Sequence, residues 1–108
     1  MPNLKKLIRL NSPQDYKIRL ESLKNIDDDE TLEDFVLNDS NLKVKLQAVS
    51  QIDSQEMLAD IAKNNSNKHV RIEAIKRIEN PDILDKISKK ESNRDVKEAI
   101  SKRISQVR

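Results

Sequence analysis

Cysteine is absent from the 108 residues, which excludes disulfides, thiolate zinc sites, cysteine-held iron–sulfur clusters and cysteine nucleophiles. Glycine is absent too, so there is no glycine-rich phosphate loop, and turns must be built from Asn, Asp, Ser or Lys. Asn11, Asn25, Asn38, Asn64 and Asn65 fall where helices should end. Asparagine enters the left-handed backbone region more readily than other non-glycine residues, which predicts that these positions close the helices. Aromatics are 2% of the chain, too few to interleave a nucleic-acid surface with stacking platforms. The apolar runs are far too short for a membrane span or a leader peptide. Met1–Leu10 carries Lys5, Lys6 and Arg9 among its apolar residues and lacks a continuous apolar stretch. A cytoplasmic protein is the expectation.

What is present is charge, at 37%, and aliphatic side chains within a hydrophobic content of 35%. Such a mixture would suit a disordered chain if the apolar residues were scattered. They are not scattered; they recur at fixed spacing. The length suits one domain spanning 1–108, and the net charge of +2 is too small to select a partner class.

Three consecutive blocks align without gaps at a period of 26: Asp15–Ser40, Asn41–Ser66 and Asn67–Ser92, with Asn93–Arg108 opening a fourth. Ile18, Val44, Val70 and Val96 form one column, each followed by Arg19, Lys45, Arg71 or Lys97. Ile26, Ile52, Ile78 and Ile104 form a second, and Leu32, Leu58 and Leu84 a third, with Phe35, Ile61 and Ile87 three residues on. Spacings of three, four and eight belong to helices. Each block therefore encodes two helices of about ten residues, too short to persist alone and dependent on packing.

The predicted helices cover 3–11, 14–25, 29–38, 41–52, 55–64, 67–78, 81–90 and 93–106, grouped as hairpins at about 2–26, 27–52, 53–78 and 79–108. Ser40, Ser66 and Ser92 are the expected N-caps of the valine-bearing helices, with Ser92 and Asp95 in capping-box geometry. Asp27 with Glu30 and Asp53 with Glu56 give the same signature for the other helices. Ser12-Pro13 and Asn80-Pro81 place proline at the first helical position. In the last block the apolar positions Leu20, Leu46 and Ile72 become Glu98, and Leu23, Val49 and Ile75 become Ser101. One edge turning polar is what a terminal capping repeat needs.

The V-[RK]-x-x-[AS]-x-x-x-I helix, preceded by a polar turn and a leucine-bearing helix, resembles a HEAT repeat of the short variety; a leucine-rich-repeat variant with short helices is a related alternative. The resemblance covers nearly the whole chain and implies an all-α superhelix of about four hairpins. It implies that Ile18–Ile26, Val44–Ile52, Val70–Ile78 and Val96–Ile104 lie on a concave side. It says little about function, because one such scaffold carries many unrelated roles.

The outward face of those helices carries seven cationic against three acidic residues. Lys43, Lys76, Arg77, Lys102 and Arg103 are its candidate partner-binding residues, for a protein partner or, alternatively, for a nucleic-acid backbone. Arg19, Lys45, Arg71 and Lys97, inside the apolar stripe, are expected to pair with turn carboxylates or carbonyls. The acidic run Asp27–Glu30, with Glu33 and Asp34, suits a helix start and lacks the glycine and spacing of a calcium loop. His69, the single histidine, has no acid or nucleophile arranged with it and is expected on the surface. No cofactor, metal or small-molecule ligand is implied, and an interaction or scaffold module is expected rather than an enzyme.

Overall fold

The computed structural model describes residues 15–108. They form seven α-helices and no strand: α1 (Tyr16–Leu23), α2 (Asp29–Asn38), α3 (Leu42–Gln51), α4 (Gln55–Asn64), α5 (Lys68–Ile75), α6 (Pro81–Lys90) and α7 (Arg94–Val107). The expected helix at 3–11, the Asn11 turn and the Ser12-Pro13 start lie outside the described residues. No described helix is long and apolar enough to cross a membrane.

Helices α1 and α5 stop earlier than their periodicity suggests, at Leu23 and Ile75. After each, the backbone tightens to bonds three residues back: Ile26 to Leu23 in one, Arg77 to Ala74 and Ile78 to Ile75 in the other. That is the 3-10 closure common at helix ends.

The starts differ from expectation by one residue. Asn41, Asn67 and Asn93 are the N-caps, in extended backbone, their side-chain oxygens accepting from Lys43, His69 and Asp95 N–H. Asn67 and Asn93 also accept from Val70 and Val96. Ser40, Ser66 and Ser92 therefore sit one place outside the helix. The reason is the turn: the preceding Asp39, Asn65 or Glu91 accepts the N–H of that same asparagine at 2.9, 3.0 and 2.9 Å. This sets the asparagine's extended geometry and places its amide over the helix mouth. Likewise Asp28 caps α2 through Thr31, and Ser54 caps α4 through Met57, in place of Asp27 and Asp53. Asn80 caps α6 with Pro81 at its first position, as expected.

The ends also differ. No described residue has a positive φ. Asp39, Asn65 and Glu91 close α2, α4 and α6 in extended conformation, each N–H bonded four residues back. With the chain leaving these three helices extended, the left-handed asparagine cap is not needed there.

The described chain divides into two units, one up to Ile52 and one from Asp53 to Arg108. In the first, α3 packs against its hairpin mate α2 and against α1. Its core holds Leu23, Leu32, Phe35, Val36, Val44, Ala48, Val49 and Ile52, all 1% exposed or less. In the second, hairpins α4–α5 and α6–α7 stack like upon like, α4 beside α6 and α5 beside α7. Leu58, Val70, Ala74, Ile75, Ile78, Leu84, Val96 and Ile100 are its fully buried centre. Each buried aliphatic chain contributes about 1.5–3 kcal/mol, which is what holds such short helices.

The columns read from the sequence are therefore core columns, with informative exceptions. Ile18 is 49% exposed where Val44, Val70 and Val96 are at 0%. Leu20, Leu46 and Ile72 are only half-buried, while Leu23, Val49 and Ile75, three residues on, are fully buried. The substitution of Ser101 into that second column thus marks the larger change of environment.

Candidate functional site

The two arginines of the cationic ladder are the most constrained polar side chains. Arg19 is completely buried, and its guanidinium grips Asp39 with Nε and Nη2 at 2.6 and 3.1 Å. Arg71 repeats the arrangement with Glu91, at 3.1 and 3.4 Å, and also donates to the Asn65 carbonyl at 2.8 Å. The carboxylate partners are the residues that hold the asparagine caps, so each arginine fastens its helix to the turn that starts the valine-bearing helix of the next repeat. A planar five-donor group suits this bidentate role. For Arg19 and Arg71 the expected structural pairing is found. Lys97 is exposed on α7.

Burial works to raise the Glu91 pKa, but the Asn93 backbone N–H and the Arg71 guanidinium outweigh it and hold the carboxyl below its ordinary range. The Asp28 carboxyl is lowered by its hydrogen bonds from the Thr31 hydroxyl and N–H, so that part of the acidic run serves the start of α2. Among the described residues, no three carboxylate or histidine side chains are grouped to hold a metal ion. His69 is exposed, as expected.

The five candidate binding residues divide by role. Lys43 is exposed in the first unit, its ammonium 5.9 Å from the Tyr16 ring centre. In the second unit Lys76 and Lys102 are exposed at equivalent repeat positions, Lys76 in the turn that closes α5 and Lys102 on the adjacent helix α7. Lys76 has Glu73, three residues earlier in α5, at 3.6 Å. Arg77 is only partly exposed and lies 3.9 Å from Asp53. Arg103 turns inward, its Nε donating to the Ile78 carbonyl at 2.8 Å. It satisfies a backbone oxygen left over at the end of the preceding repeat, rather than projecting outward.

Gln51, in the same repeat position as Arg103, does the same: its amide donates to the carbonyls of Leu23 and Ile26 at 2.7 and 3.1 Å. Gln47 adds a bond to Leu20 O. Gln55 bridges the Arg77 carbonyl and the Glu79 N–H at 2.9 Å each. A signal for this was available: Asn25, Gln51, Arg77 and Arg103 are all side-chain donors, and each immediately precedes the invariantly spaced isoleucine. Tested against family models, curated proteins and solved structures, the chain matches none.

Proposed function

We propose that the chain is a short HEAT-like solenoid that acts as a protein-interaction or scaffold module, using the outer surface of its valine-bearing helices, and that it is not an enzyme. The observation that carries this reading is the pair Lys76 and Lys102: exposed and one repeat apart, the first closing α5 and the second on α7, two helices that pack side by side. A period of 26 thereby sets equivalent exposed side chains on neighbouring repeats, the kind of extended surface repeat proteins use for binding.

The neighbouring carboxylates favour a protein partner over a nucleic-acid backbone. Glu73 stands beside Lys76, and Asp95 takes Lys68 at 2.8 Å, lowering the Asp95 pKa. A surface of alternating sign is matched by another protein's mixed charges, whereas a phosphate backbone rewards uncompensated cations.

Lys76→Glu with Lys102→Glu tests the proposal. A partner that cross-links to the wild-type chain should be lost, with the melting temperature nearly unchanged because both side chains are exposed. Retention of the same partner overturns the choice of face. Tight binding of arbitrary duplex, falling steeply with salt, would establish the nucleic-acid reading instead.

A further inference from the structure

Between the C-terminal ends of α4 and α6 lies a half-open cleft of about 210 Å³, lined by Lys63, Arg71, Ile87, Lys90, Glu91 and Ser92. Arg71 and Glu91 satisfy one another here, and Glu91 is further occupied by the Asn93 N–H. Their charges cancel. Lys63 and Lys90 are exposed, and neither has an ion-pair or hydrogen-bond partner among the described residues. The cleft therefore carries two uncompensated ammonium groups beside a serine hydroxyl, over the Ile87 side chain.

We propose that this cleft binds a phosphate group. Two ammoniums match the charge of a phosphate dianion, where a single carboxylate would leave one unanswered. Ser92 adds a neutral donor, and the volume accommodates a tetrahedral oxyanion with part of the group that carries it. The Arg71–Glu91 pair fixes the floor, so the site needs only the two lysines to turn inward. This site is separate from the Lys76–Lys102 surface and does not depend on it. Cations at helix C-termini are also favoured by the helix dipole alone, and the experiment must separate the two roles.

The isotope-labelled full chain is titrated with inorganic phosphate, against sodium chloride at matched ionic strength, and followed by amide chemical shifts. Saturable shifts confined to Lys63, Lys90, Glu91, Ser92 and their neighbours are expected. Lys63→Gln with Lys90→Gln should weaken binding about tenfold, the scale of two charge-assisted contacts at a partly exposed site. Melting should hardly change, and Lys63→Arg with Lys90→Arg should retain binding. A phosphoserine peptide, compared with its unphosphorylated form, then identifies the source. Tighter binding than inorganic phosphate assigns the group to a phosphorylated side chain, and equal or weaker binding assigns it to the free ion. Shifts that merely follow ionic strength, or phosphate binding untouched by the double glutamine variant, overturn the proposal and leave the lysines serving only the helix ends.

Discussion

At Arg19 the chain places a full positive charge where no solvent reaches it, and Asp39 makes that tolerable. Removing one partner strands the other's charge. Arg19→Leu should therefore cost about 3 kcal/mol in urea unfolding. Arg19→Leu combined with Asp39→Asn should recover much of that loss, because the amide still accepts the Asn41 N–H while the stranded charge is gone. Equal damage from the single and double variants would show that the pair does something other than neutralise itself. Glu91 gives a pH-dependent version of the same contact. Its folded-state pKa lies below the unfolded value, so its contribution is complete above the ordinary glutamate pKa of about 4.3. That contribution disappears as pH falls through the lower folded-state value. Glu91→Gln should flatten the acid limb of the stability profile; an unchanged limb would assign that sensitivity elsewhere.

For each helix, the distinction between serine and asparagine at its start is measurable. Asn67→Ala and Asn93→Ala should each cost about 1 kcal/mol by thermal or urea melting, while Ser66→Ala and Ser92→Ala should stay within about 0.5 kcal/mol. The reverse order would restore serine as the cap. Ala48 and Ala74 are completely buried in equivalent positions. Ala48→Phe and Ala74→Phe should each destabilise by about 1–3 kcal/mol through overpacking, and tolerance of both would contradict the packing described above. The seven helices, the buried leucine and valine columns and the pairing of Arg19 and Arg71 were legible because a 26-residue period repeats each constraint. A hydrophobic column displays its purpose in residue type alone. The caps lie one residue beyond the predicted serines because Asp-Ser-Asn, Asn-Ser-Asn and Glu-Ser-Asn each contain more than one competent cap, and only the acceptor two residues back decides between them. Arg103 shows a related effect: an arginine on a helix's polar side looks solvated until the carbonyl it reaches, 25 residues away, is known. The Lys63–Lys90 cleft left no local signal, since its residues belong to two different repeats.

Across the whole molecule, charge is abundant but nearly balanced, at 21 basic against 19 acidic residues. Association driven by one surface should consequently show a shallow salt dependence unless phosphate is involved. The longest side-chain tethers described above within each unit join residues only 20 to 28 apart. Helix-to-turn clasps of that span require short loops to close, and the entropy of closing them is small. The consequence is kinetic. Chains dominated by near-neighbour contacts reach their native state quickly, on a scale of microseconds to milliseconds. In stopped-flow refolding from urea, the main phase should be complete within about the instrument's dead time of a few milliseconds. A main phase lasting seconds would mean that assembly waits on contacts much longer in sequence than one repeat.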